Sequence, residues 1–406
     1  MFNKTQLTFL VATLFCGLST AFMFPLVGLY LVDELSASPV QMGGFLAVMV
    51  LSGVVASAWL AKCSDQGMSR KYIVIAAQVC FAISALVLAA SRDFYLALVT
   101  VVLFLSISAC SIPQTFTLGR EYSDRELGAK GTVFLSYMRA GIAAAWVIGP
   151  PLAFLLKEQF GFSITFVISA VSALVMLVMV AFLPEYRQST RESAAATTRA
   201  DTHGTDHNWL KNTSVVLFLL STVAMFSANN MYITALPLYL TKELAIGSQW
   251  AGYLMGLAAL FEIPFMILVG YLAPKLGNKR LMLAGLVSGS IFYAGLLMTE
   301  QVWLLLALQL FNGVFIAISA CLGMLLIQDL MKSRMGMATT LFGNAQQLSM
   351  LVGSLGVGLV AQYMSYYAVF AVSLSAALIA LCLLMMVKEA KPAPISDDFV
   401  APPCAG

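Results

Sequence analysis

Charge is the scarcest commodity in this chain. Of 406 residues only 10% are Asp, Glu, Lys or Arg, with 22 basic against 19 acidic. A soluble globular protein carries about 25%, so this chain cannot clothe a water-exposed surface, and soluble, disordered and fibrous classes are excluded. Histidine is nearly missing. His203 and His207 are the only two, and they stand at i, i+4 in a polar stretch where a solvated loop is a better reading than a metal site. The seven cysteines are scattered without paired spacing, which excludes a disulfide scaffold. No GxxxxGK[ST] string occurs, so ATP hydrolysis has no seat. No cluster of carboxylate, His or Cys marks a membrane-embedded transferase, and nothing points to nucleic acid, a cofactor or a metal. The chain is not expected to be an enzyme.

What is present is apolar: 60% of the residues. They gather in twelve runs, near 7–31, 40–61, 72–91, 94–118, 132–156, 162–183, 213–240, 249–273, 281–298, 303–327, 339–362 and 367–387. A helix needs roughly 20 apolar residues to cross a bilayer, and most runs exceed the ~10 of a barrel strand. The reading is an all-α polytopic protein with 12 transmembrane helices. The first run follows Lys4 but outlasts the ~7–15 residues of a signal core and shows no small-residue cleavage site before Asp33, so it is expected to be retained. Alternate loops hold eighteen basic residues and the opposite loops three, Arg92, Lys157 and Lys242. That asymmetry predicts a multi-pass protein of the bacterial inner membrane with both termini cytoplasmic.

A polar, Ser/Thr/Ala-rich stretch divides the runs six and six. The expected organisation is an N-terminal six-helix half (1–184), a cytoplasmic linker (185–212), a C-terminal six-helix half (213–390) and a disordered tail (391–406). The halves repeat at an offset of about 209 residues: Arg70-Lys71 matches Lys279-Arg280, Arg125 matches Arg334, and Gly149 matches Gly358. Two parallel six-helix repeats resemble the major facilitator superfamily, in which substrate binds between the halves near the midplane.

Three features carry mechanism. The loop LAKCSDQGMSRKY, with Asp65, Gly67, Arg70 and Lys71, resembles that superfamily's loop motif. It is expected to be a charge cluster that breaks and remakes as the halves rock, the bland alternative being a solvated turn. Its copy, YLAPKLGNKRL, has Pro274 where the acid would stand. The fifth run, MRAGIAAAWVIGPPLAF, places Arg139, Ala143, Trp146 and Pro150 on one face. Arg139 lies about 8 residues, or ~12 Å, inside the span. An intramembrane arginine needs a partner or a watery cavity, and guanidinium beside indole suits a sugar. The third feature is Glu262, the one carboxylate well inside any run. Arg139 and Glu262 are expected to be close or bridged by substrate. A carboxyl whose cationic neighbour comes and goes exchanges its proton, a coupling device; a static clamp is the alternative.

The remaining polar residues fall on helix faces. Ser227, Asn230 and Thr234 share one, with Asn229 beside them; Gln309 and Asn312 share another; Thr340, Asn344 and Gln347 a third. Amides both donate and accept, as polyhydroxylated substrates require, though each is as apt to be inter-helix glue. Asn229, Asn230, Gln309, Asn312, Asn344 and Gln347 join Arg139, Trp146 and Glu262 as candidate substrate contacts.

The strings AWVIGPPLAF, NMYITALPLYLTKEL, AGYLMGLAALFEIPFMILVGY, LQLFNGVFI, IQDLM and RMGMATTLF together resemble the bacterial sugar efflux transporter (SET) family of the major facilitator superfamily. The resemblance implies proton-linked export of sugars such as lactose or glucose, and of sugar analogues, by a protein expected to act as a monomer. Export of amphipathic drugs and a non-translocating sensor are the competing readings.

Overall fold

The computed structural model describes residues 3–185 and 209–388. His203, His207 and nearly all of the expected linker and tail lie outside them. The described residues form helices α1 (Lys4–Asp33), α2 (Pro39–Asp65), α3 (Arg70–Ala90) and α4 (Phe94–Glu126). A single 51-residue helical stretch, Gly131–Ala181, is broken at Gly161, giving α5 (131–160) and α6 (162–181). Then come α7 (Thr213–Glu243), α8 (Gln249–Leu276), α9 (Asn278–Met298), α10 (Val302–Leu330), α11 (Met335–Tyr363) and α12 (Tyr366–Met386). Ten helices, the broken one counted once, are long and apolar enough to cross a membrane. With α5 and α6 separated and the 29-residue α11 added, the layout is compatible with twelve spans. No strand occurs among the described residues.

The helix ends follow local chemistry. Asn3 with Gln6, and Ser38 with Gln41, form reciprocal capping boxes, and Pro39 opens α2 where its missing N–H costs nothing. Asp93 accepts from the Leu96 N–H at 2.7 Å to start α4. Gly161 separates α5 from α6 at φ 80°, a conformation a side chain would strain. Tyr95, Trp303 and Tyr363 near one end of the bundle, and Tyr72, Phe182 and Tyr271 near the other, are exposed aromatics at the levels where a bilayer meets water. The chain is a multi-pass membrane protein.

Small residues set the packing, as expected where lipid gives helices no hydrophobic reason to associate. In the first half α1 lies against α5 so closely that a Cβ on Gly149 would stand 2.4 Å from the Ala21 Cβ. In the second half, Ser221 Oγ donates to the Ala380 carbonyl at 2.8 Å, tying α7 to α12. Between halves, Gly252 and Gly256 of α8 admit the Pro150-Pro151 corner of α5, and Gly43 of α2 meets Gly358 of α11. The contacts between halves lie toward the end that carries few basic loops, the sparse end; the opposite end, with the α2–α3, α4–α5, α8–α9 and α10–α11 loops, is the basic end.

Lys71 and Lys279 show the internal repeat in three dimensions. Lys71 Nζ donates to the carbonyls of Ala181 and Leu183 at 2.7 Å each, closing the C-terminal end of α6. Lys279 Nζ does the same for Met385 and Val387 at the end of α12. A cation there satisfies orphan carbonyls and opposes the helix dipole.

Candidate functional site

Proline and glycine place the site. The Pro150-Pro151 corner seats α5 against α8 near the sparse end, and below it lie two neighbouring compartments that share part of their walls. The first, about 310 Å³, is walled by Arg139, Ile142, Ala143 and Trp146 of α5, Phe116 of α4, and Ala259, Glu262, Ile263 and Met266 of α8. The second, about 270 Å³, is walled by Trp146 and Pro150, by Asn229, Tyr232 and Ile233 of α7, by Met255, Ala258, Ala259 and Glu262 of α8, and by Asn312 and Ile316 of α10. Trp146, Ala259 and Glu262 border both. Together they fall within the ~300–1,000 Å³ range of small-molecule sites.

The face Arg139, Ala143, Trp146, Pro150 lines this cavity in that order. Arg139 is exposed although it lies two turns inside α5, so the cavity is accessible along it. Glu262 is 14 residues, ~21 Å, from the last residue of α8, which continues to Leu276, past the end of the apolar run at 273. Among the described residues no ion pair within 4.0 Å joins Arg139 to Glu262; they face one space without touching.

The amides divide. Asn229 and Asn312 line the second compartment, and the Oδ1 of each is buried with no hydrogen-bond partner. Gln309 is fully buried behind them: its Oε1 accepts from the Tyr232 hydroxyl at 3.2 Å and from Asn312 Nδ2 at 3.0 Å. Asn230 turns instead to α11, donating to Ser349 Oγ at 3.4 Å, and Ser227 donates to the Ser349 carbonyl at 3.1 Å. Asn344 and Gln347 are exposed on α11 and border neither compartment. Tyr232 was not among the sequence candidates. Its place three residues after Asn229 on α7 was the available signal.

The candidate gate at the basic end is built inside the first half. Gly67 makes the turn at φ 105°, and Asp65 is the last residue of α2, its side chain outside what the structure describes. Arg70 Nε meets Glu121 at 2.7 Å and Nη1 donates to Gln114 at 3.2 Å, tying α3 to α4. Lys71 caps α6, as above.

A second charge cluster, unforeseen from sequence, does cross between halves at the sparse end. Lys242 of α7 meets Asp33 of α1 at 2.7 Å; Lys157, beyond the cavity on α5, stands 4.0 Å from Asp33 and 3.8 Å from Glu158. Ser248, just before α8, donates to Glu158 at 2.6 Å. Arg92 pairs with Glu34 at 2.9 Å. The three basic residues that break the loop asymmetry are thus all held by carboxylates.

Comparison with known proteins shows that a helical bundle around a largely apolar cavity is here that of a membrane transporter. The sequence pattern of the Major Facilitator Superfamily matches residues 9–227 and 217–401. Sugar efflux transporter A of Escherichia coli (strain K12) is 38% identical over 390 residues, covering 95% of this chain and 97% of that protein. Sugar efflux transporter C of the same strain is 32% identical over 388 residues, with 95% and 97% covered. The solved nucleoside transporter NupG shares the fold at a TM-score of 0.80 and 13% identity, covering 95% of this chain and 99% of that one. The D-xylose-proton symporter does so at 0.72 and 18%, covering 95% and 98%. The chain belongs to the bacterial sugar efflux transporter family of the Major Facilitator Superfamily.

Proposed function

We propose that this protein exports sugars and glycosides, lactose and glucose among them, in exchange for protons. The halves rock about the α5–α8 and α2–α11 contacts so that the cavity opens to one side at a time. One observation supports this above the others: a guanidinium, an indole, a carboxyl and two unpartnered amide oxygens, drawn from both halves, converge on one cavity. Trp146 and Tyr232 offer aromatic surface to the apolar face of a pyranose, and the polar groups meet its hydroxyls. Glu262, bordering both compartments, is the proposed proton carrier, and Arg139 its electrostatic partner when substrate or proton leaves.

The basic end faces the cytoplasm of a bacterial inner membrane in this reading, with both termini on that side, because cationic loops are retained there. Asp65, Gly67, Arg70 and Lys71 brace the basic end of the first half during rocking, and the transporter works as a monomer. The largely apolar walls, Ile233, Met255 and Ile316 among them, also favour amphipathic drugs as a second substrate class.

The test is transport into inverted vesicles with a panel of labelled sugars and drugs, with and without a pH gradient. Glu262→Gln is expected to abolish accumulation driven by the gradient while leaving downhill sugar exchange. Accumulation by that variant at the wild-type level would remove Glu262 from the coupling path. Arg139→Ala is expected to weaken sugar binding, and unchanged binding would remove it from the site.

A further inference from the structure

The hydrogen bonds behind the second compartment fix the polarity of its wall. Gln309 Nε2 donates to the backbone carbonyl of Leu305 at 3.1 Å. A carbonyl accepts only, so this contact settles which end of the Gln309 amide points which way. Its Oε1 is therefore the atom turned toward Tyr232 and Asn312. That oxygen also accepts only. Tyr232 must direct its hydroxyl proton there, and Asn312 must present its amino group. The Asn312 Oδ1 is left on the other side of its amide, buried and without a partner, and the Oδ1 of Asn229, a residue that lines the same compartment, is in the same condition. An unsatisfied buried acceptor is costly, and a ligand that donates to it recovers that cost.

We propose that Asn312 and Asn229 recognise substrate hydroxyls specifically as hydrogen-bond donors, and that Gln309 is the positioning residue that imposes this polarity. The Tyr232 hydroxyl has its proton committed to Gln309, so toward substrate it too can only accept. This inference rests on the sugar reading above and adds to it a direction for each hydrogen bond. It predicts that a hydroxyl is not interchangeable with a group that only accepts.

Fluorine separates the two directions, because it cannot donate. The experiment measures competition against labelled lactose in inverted vesicles by methyl β-D-galactopyranoside and its monodeoxy and monodeoxyfluoro derivatives. At the positions read by the two asparagines, both the deoxy and the deoxyfluoro compounds are expected to compete roughly tenfold or more weakly than the parent. If the deoxyfluoro compound matches the parent wherever the deoxy compound is weak, the protein donates and the proposal is overturned. Full competition by every deoxy compound overturns it equally.

Gln309→Leu releases the Asn312 amide to rotate and offer its amino group. The gap between parent and deoxyfluoro sugar is then expected to narrow, whatever happens to overall transport. A structural defect alone lowers all competitors together, so an unchanged gap in a transporting variant removes Gln309 from the positioning role. The wild-type panel decides whether the wall accepts from substrate even if that variant fails to fold, and Asn312→Asp and Asn229→Asp, which keep an acceptor, are expected to retain the discrimination that Asn312→Leu and Asn229→Leu lose. Absence of any lactose or galactoside transport would bring down the sugar reading as well as this one.

Discussion

In the proposed cycle the sparse end closes partly on two glycines from different halves, Gly43 and Gly358, and replacing either tests the rocking directly. A Cβ on Gly43 would lie 2.7 Å from Gly358 Cα and 2.8 Å from the Ser354 carbonyl; one on Gly358 would lie 2.8 Å from the Pro39 carbonyl and 2.9 Å from Gly43 Cα. All four are backbone atoms, which cannot rotate aside, so α2 and α11 must separate. Overpacking of this kind costs about 1–3 kcal/mol, and at 1.4 kcal/mol per factor of ten that shifts the balance away from the closed state by about 5- to 150-fold. Gly44, one residue away on α2, has nothing within 4 Å of its would-be Cβ. Gly44→Ala shares the gain in helix propensity and lacks the collision, which makes it the control. The assay is the distance distribution between spin labels at Ser36 and Ala245, exposed loop positions on opposite halves, in a background with the native cysteines replaced. Gly43→Ala and Gly358→Ala are expected to add or enlarge a long-distance population that Gly44→Ala lacks. Distributions that coincide for all three would refute the claim that this contact is the closing surface.

Two further outcomes follow from the charged residues. Lys242 and Asp33 form an inter-half pair, but their side chains are 46% and 23% exposed, so after screening it contributes about 0.2–1 kcal/mol. Lys242→Ala is therefore expected to open the sparse end by only a few-fold, less than Gly358→Ala, and high salt should reproduce its effect in the same distance measurement. Loss of Lys71 or Lys279 strips cationic caps from α6 or α12, at about 0.3–1 kcal/mol each. Each Ala variant should melt lower by up to about 1 °C without altering sugar discrimination, and a change in discrimination would show that these lysines act on the cavity.

Much of the site was legible because membrane cost isolates it. Arg139 and Glu262 stood out as charges inside apolar runs, and the period of a helix put Ala143, Trp146 and Pro150 on the face of Arg139. The amides were less legible. Ser227, Asn230 and Thr234 share one face of α7 and Asn229 stands beside it, yet Asn229 is the one that reaches the cavity. Periodicity says which residues share a face; it does not say whether that face meets a neighbouring helix or a void. Gln309 and Asn312 look equivalent at i, i+3, and only the Leu305 carbonyl makes one a support and the other a wall.

The charge cluster at the sparse end was hidden for a different reason. Asp33, Lys157 and Lys242 are far apart in the chain and sit at helix ends, where a charge is unremarkable by position alone. Their meeting depends on how two halves dock.

The sequence by itself determined that this chain lives in a membrane, as helices, in two related halves. A bilayer forces each span to satisfy its own backbone hydrogen bonds and expels unpaired charge, so composition and spacing carry that information locally. Only the tertiary structure decided which amides face the cavity, that Arg139 and Glu262 line one compartment without touching, and that glycine and proline join the halves at one end. Those are relations between helices distant in sequence, fixed by small residues that let backbones approach, and no single segment encodes them.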